Sequence, residues 1–99
     1  MGMGMMNGQV TVNDSPTKSK LYRFCEKKID QWVKSHSPAQ EAGEMPTAEF
    51  QVSFIEESHT KQVSCVTEVR LGGALYRGCD LDCDTQQAFI HSLRRLQPH

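Results

Sequence analysis

The chain lacks three features that would each point to a particular class of protein. No apolar run approaches the ~20 residues that a membrane-spanning helix requires, so no membrane association is predicted. The N-terminus has no basic region followed by an apolar core, and it therefore does not resemble a secretory signal. Lys and Arg (11) nearly balance Asp and Glu (12), which excludes the overall basic excess of a strong nucleic-acid-binding protein.

Catalytic and metal-binding patterns are also missing. Cys, His and Asp are present, but nothing in their spacing places a base beside a nucleophile. Cys79 and Cys83 lie four residues apart without a second matching pair, so a zinc site that adds His91 or Cys65 is only the minor alternative. We therefore predict a non-enzymatic protein with no cofactor, no metal and no small-molecule substrate. Its thiols are expected to be reduced, in the cytoplasm or the nucleus.

The N-terminal stretch differs in composition from the rest of the chain. Residues 1–14 are rich in Met, Gly, Asn and Asp without a sustained hydrophobic period, and they predict a disordered leader. Val10 and Val12 alternate as in a strand, but the pattern is too short to predict one beside such a leader. Residues 15–97 are then the folded domain. A domain of this size has room for one thin core and little for a deep active-site cavity.

Two amphipathic helices are predicted within this domain. Ser15-Pro16 has the form of a helix start, and apolar residues spaced three and four apart continue to Val33, which predicts about five turns. The second helix has its apolar residues from Ala88 to Leu96. Asp80, Asp82 or Asp84 could each be its N-cap, and Asp84 with Gln87 three residues on makes a capping box.

Three strands are predicted between the helices. Residues 50–54 and 63–71 alternate apolar and polar side chains, and Gly72-Gly73 predicts a tight hairpin into a short third strand at residues 74–77. The fold class is therefore α+β, in the order α-β-β-β-α, with a three-stranded antiparallel meander and both helices on one face. Edge strands are expected at residues 50–55 and 74–77.

These elements resemble the double-stranded-RNA-binding domain family over roughly residues 20–97. Leu21 to Lys28 is similar to the family's first helix, and Phe50 to Phe54 to its first strand. Ser58 to Val63 resembles the loop that places a His in a minor groove, and Cys65 to Gly78 resembles the next two strands. The resemblance implies a binding domain with this α-β-β-β-α fold.

The chain departs from that family at the start of the last helix. RNA-binding members carry a Lys cluster there that grips phosphates, whereas this sequence has Leu81-Asp82-Cys83-Asp84-Thr85. The absence of these cations reduces the counterion release that drives RNA affinity, and carboxylates repel phosphates. The resemblance is therefore to a degenerate member that lacks the basic cluster, and degenerate members bind proteins.

Two functional hypotheses follow from the resemblance. The first is an interaction module that mediates homodimerisation or docks a protein partner in RNA-processing or RNA-silencing machinery. Its contact residues lie on the third strand and the last helix: Leu75, Tyr76, Gln86, Gln87, Ile90 and Arg94. The alternative is weak binding of double-stranded RNA through the first helix and the loop after the first strand. Its candidate residues are Lys20, Arg23, Lys27, His59 and Lys61.

Overall fold

A six-stranded mixed sheet is the central element of the computed structural model, which describes residues 6–36 and 48–98. The strands are β1 (Met6–Val12), β2 (Ser15–Pro16), β3 (Ala48–Glu57), β4 (Gln62–Leu71), β5 (Ala74–Asp82) and β6 (Gln97–Pro98), and the helices are α1 (Lys20–His36) and α2 (Thr85–Arg94). The strand order across the sheet is β2-β1-β3-β4-β5-β6. The α+β class is confirmed, but the three-stranded meander is wrong, because β1 and the short β2 and β6 extend it.

Strand β1 overturns the predicted leader for residues 6–14, while residues 1–5 lie outside the described residues. It pairs in parallel with β3 from Met6↔Ala48 to Val12↔Phe54, and Val10 is 1% exposed. The sequence pattern does not reveal this strand because Gly8 interrupts its apolar face. A Cβ at Gly8 would overlap the ring of Phe50, so the paired aromatic side chain fills the space that the glycine leaves open.

A tight turn after β1 replaces the predicted start of the first helix. Asn13 and Asp14 both have positive φ (51° and 69°), as a two-residue hairpin loop requires, and Ser15-Pro16 form the edge strand β2. The Asn13 side chain accepts a hydrogen bond from the backbone N–H of Glu56 at 2.9 Å and thereby fastens this turn to β3. Helix α1 therefore starts later, at Lys20.

The β3–β4–β5 meander carries the predicted hairpin and lengthens the predicted third strand. Gly72 and Gly73 have φ values of 58° and 85° between the paired residues Leu71 and Ala74, which confirms the predicted turn. Strand β5 continues through Gly78 to Asp82. Neither predicted edge strand is a free edge along its whole length. Strand β1 pairs with β3, and β6 pairs with part of β5.

Both helices lie on one face of the sheet and cover its core. The buried apolar residues alternate along the strands and meet the buried stripe of each helix. These residues are Val10, Cys25, Ile29, Val33, Ala48, Phe50, Val52, Phe54, Val63, Cys65, Val69, Leu71, Ala88 and Phe89. The opposite sheet face is open, and it carries the two large apolar side chains that are exposed in the described residues, Ile55 and Leu81.

A buried polar pair joins α2 to the middle of the sheet. The hydroxyls of Thr67 and Ser92 are 2.7 Å apart, and both residues are 0% exposed. The Ser92 hydroxyl donates to the Phe89 carbonyl oxygen at 2.8 Å, which leaves the Ser92 oxygen to accept from Thr67. The two hydroxyls therefore satisfy each other inside an otherwise apolar core.

We expect Ser92→Ala to lower the free energy of unfolding by about 1–3 kcal/mol, because it leaves the buried Thr67 hydroxyl without its partner. Adding Thr67→Val should recover part of that loss, since no orphaned hydroxyl remains. Urea denaturation of the wild type, both single variants and the double variant measures the coupling. A double variant whose loss equals the sum of the single losses would contradict this account of the pair.

Candidate nucleic-acid interface

The exposed face of α1 carries a basic stripe, defined here as Lys20, Arg23, Lys27 and Lys34. The spacing of three, four and seven residues keeps these side chains on one side of the helix. All four are exposed, and they lie opposite the buried residues of the same helix. Amphipathic periodicity thus turns the scattered cations of the sequence into one continuous charged surface.

Most of the basic stripe is not neutralised by neighbouring carboxylates. Lys34 forms an ion pair with Asp30 at 3.1 Å, one helical turn away. Within residues 6–36 and 48–98, Lys20, Arg23 and Lys27 form no ion pair. Three exposed cations are therefore available to an external anion.

The acidic residues that replace the expected Lys cluster serve to hold α2 in place. Asp84 is the N-cap and accepts a hydrogen bond from the backbone N–H of Gln87 at 3.0 Å. Asp82 accepts from the backbone N–H of Asp84 at 3.0 Å and lies 3.5 Å from the imidazole of His91. Asp84 is therefore the N-cap. In the predicted capping box the Gln87 side chain would accept from the backbone N–H of Asp84, and here Asp82 accepts that hydrogen bond instead.

Asp80 fastens the end of β5 to the end of α2. The backbone N–H of Leu81 donates to its carboxylate at 2.7 Å, and the guanidinium of Arg95 donates to it at 2.9 Å. These two donors hold the pKa of Asp80 below its usual range. Three carboxylates are thus concentrated at the junction of β5 and α2, on different elements from the basic stripe.

The predicted RNA-binding residues fall into two groups. Lys20, Arg23 and Lys27 belong to the basic stripe, so the structure brings these three together. His59 and Lys61 are exposed in the turn between β3 and β4, where Lys61 has a positive φ of 54°. The turn and the stripe are therefore two separate features of the surface.

The predicted partner-binding residues do not form one surface. Leu75 and Tyr76 are successive residues of β5, so their side chains lie on opposite faces of the sheet. Tyr76 is on the helix side, where its ring contacts Trp32 edge-on at 5.1 Å between centroids. Gln86, Gln87 and Arg94 are exposed on α2, and Ile90 is half-buried there. The set is therefore divided among the open sheet face, the helix side of β5 and α2.

The structure also places the thiols and the potential metal ligands of the described part of the chain. No group of three or more His, Cys, Asp or Glu side chains in that part is arranged to hold a metal ion. All four cysteines are free thiols, and burial raises the pKa of Cys25 and Cys65 above the usual range. Neither helix of the described residues is long and apolar enough to cross a membrane.

The long elements of the chain follow the order β-α-β-β-β-α, with the first strand parallel to the next long strand, and solved structures share this fold. One is the N-terminal domain of Protein Y from Thermus thermophilus, which is 17% identical with a TM-score of 0.69, over 94% of this chain and 90% of that chain. Another is a ribosomal subunit interface protein from Coxiella burnetii, which is 14% identical with a TM-score of 0.61, over 91% of this chain and 87% of that chain. No protein-family model and no curated protein sequence matches the chain.

These likenesses correct the resemblance to double-stranded-RNA-binding domains. The two structures match 94% and 91% of this chain, whereas the α-β-β-β-α family pattern leaves out its parallel strand β1. The hypotheses of a silencing-type interaction module, of homodimerisation and of double-stranded RNA binding are therefore wrong, since they depended on that family. The two folds are easily confused because residues 48–94 do form three antiparallel strands followed by a helix.

Proposed function

We propose that this chain is a non-enzymatic domain that binds the ribosome, with the basic stripe of α1 against the backbone of ribosomal RNA. Its fold is that of a ribosomal subunit interface protein and of the Protein Y N-terminal domain, which supports this partner. With a ribosomal partner, the protein would act in the cytoplasm. The specific residues are proposed from the charge distribution of this chain.

The observation that carries the proposal is the run of unneutralised cations at Lys20, Arg23 and Lys27. Seven residues of helix separate the first from the last, a span of about 10 Å, which matches a few successive phosphates along an RNA strand. The chain as a whole has a formal charge of −1, so its attraction to RNA depends on this local surface. The phosphates would repel the carboxylates at the junction of β5 and α2, and this repulsion would orient the domain with that junction away from the RNA.

Cosedimentation with purified ribosomal subunits tests the proposal. We expect the wild-type chain to pellet with subunits at about 50 mM salt and to be released progressively as salt rises toward about 200 mM. Arg23→Ala combined with Lys27→Ala should weaken binding by about tenfold for each phosphate that no longer has a cation beside it. The slope of the logarithm of the binding constant against the logarithm of salt concentration should also become shallower, by about one unit for each such phosphate.

A matched control removes two exposed cations elsewhere. Arg70→Ala combined with Arg94→Ala changes the net charge by the same amount, on the open sheet face and on α2. This variant should bind subunits within about twofold of the wild type, because the two arginines are outside the stripe. Equal losses of affinity in the two double variants would show that net charge alone drives the association. A wild-type chain that does not pellet with any subunit would refute ribosome binding.

A further inference from the structure

A second side of α1 carries three aromatic rings and one lysine. Phe24, Lys28, Trp32 and His36 are each four residues apart, and we call them the α1 ladder. Side chains with this spacing lie next to one another along a helix. The ladder lies on the side of α1 that contacts α2 through Phe24 and β5 through Trp32.

The residues of the α1 ladder contact one another or the body of the domain. The ammonium of Lys28 lies over the ring of Phe24, 5.9 Å from its centroid. The imidazole of His36 stacks on Trp32 with centroids 4.0 Å apart and ring planes 22° apart. Trp32 is itself held edge-on by Tyr76 of β5. The Trp32–His36 stack is therefore anchored to the sheet.

His36 is the exposed end of this stack. Its Nδ1 lies 3.0 Å from the carbonyl oxygen of Trp32, which fixes the orientation of the ring. One face of the His36 ring lies on Trp32, and the residue as a whole is exposed. A flat, exposed ring with a fixed orientation is an arrangement on which proteins stack unpaired nucleobases.

We propose that the α1 ladder binds an unpaired nucleotide of RNA. The base stacks on the outer face of His36, and Lys28, about 12 Å along the helix, pairs with a phosphate of the same strand. The inference rests on the proposed function for the source of the RNA, since ribosomal RNA would supply the unpaired base. The α1 ladder would thus recognise a base, whereas the basic stripe binds phosphates.

The single tryptophan of the chain provides a direct readout, because Trp32 lies beneath His36. We expect an oligoadenylate of about ten nucleotides to quench the fluorescence of Trp32 in the full chain with saturation. His36→Ala should weaken this binding by about fivefold or more, and His36→Phe should retain it because the stacking surface remains. Ser35→Ala, an exposed neighbour in the same turn, should bind as the wild type does.

Three results would overturn the ladder. They are an absence of quenching in the wild type, equal affinity in His36→Ala, and equal quenching by inorganic polyphosphate, which has no base to stack. Circular dichroism of each variant shows that an observed loss is not unfolding. Ribosome cosedimentation is an independent test. If the wild-type chain pellets with subunits but His36→Ala binds oligoadenylate as the wild type does, only the role of the α1 ladder is refuted. The reverse outcome, base-dependent quenching without ribosome binding, refutes only the proposed function.

Discussion

Val10→Asp is expected to abolish folding or to lower the free energy of unfolding by at least about 3 kcal/mol. Val10 is 1% exposed and lies in β1, where its side chain belongs to the core beneath α1. A carboxylate at this position loses its hydration and finds no partner among the apolar residues around it. Urea denaturation followed by circular dichroism measures the effect.

Gln9→Asp is the matched control, because it introduces the same side chain at the neighbouring position of the same strand. Gln9 is exposed on the open sheet face, so this substitution should change the free energy of unfolding by no more than about 0.5 kcal/mol. If residues 6–14 were part of a disordered leader, both variants would unfold at the urea concentration of the wild type. The pair therefore decides directly between a leader and a strand.

Gly78→Ala is expected to destabilise the domain by about 3 kcal/mol. A Cβ at this position would overlap the carbonyl oxygen of Ser92 and lie 2.8 Å from the carbonyl carbon of Arg95. Both obstacles are backbone atoms, so α2 and the residues after it would have to move away from β5. Such a shift would also strain the contact of Arg95 with Asp80.

Cys79→Ala provides the control for Gly78→Ala at the next residue of β5. Cys79 is an exposed free thiol on the open sheet face, and its truncation leaves the core unchanged. Its unfolding midpoint in urea should stay close to that of the wild type. A Gly78→Ala variant as stable as Cys79→Ala would mean that α2 does not rest on β5 as closely as the structure indicates.

Local patterns predict the apolar stripes of both helices and the hairpin correctly, but they place the start of the first helix too early. The apolar spacing of α1 and α2 and the Gly72-Gly73 turn depend on neighbours in the chain, and these are the features that periodicity and turn chemistry reflect. Strand β1 could not be found in this way. One of its inward positions is Gly8, where a larger side chain would overlap the ring of Phe50. Phe50 is more than forty residues away in sequence and is adjacent only in the folded sheet.

The candidate site can be predicted only in part for the same reason. Lys20, Arg23 and Lys27 follow a helical spacing, and the structure places them on one exposed face. Phe24, Lys28, Trp32 and His36 can also be found in the sequence at intervals of four, but the spacing alone does not show which of these side chains contact one another or the sheet. Tyr76 anchors Trp32 from a strand that is distant in sequence.

The sequence by itself determined the α+β class, the two amphipathic helices, the β4–β5 hairpin and the cations of α1. Only the tertiary structure decided that residues 6–12 form a strand and that the domain shares the fold of the Protein Y N-terminal domain rather than that of double-stranded-RNA-binding domains. The physical reason is that helix spacing and turn chemistry are local, whereas a parallel strand pairing joins residues across an intervening helix. That pairing separates the two folds, and no local pattern reveals it.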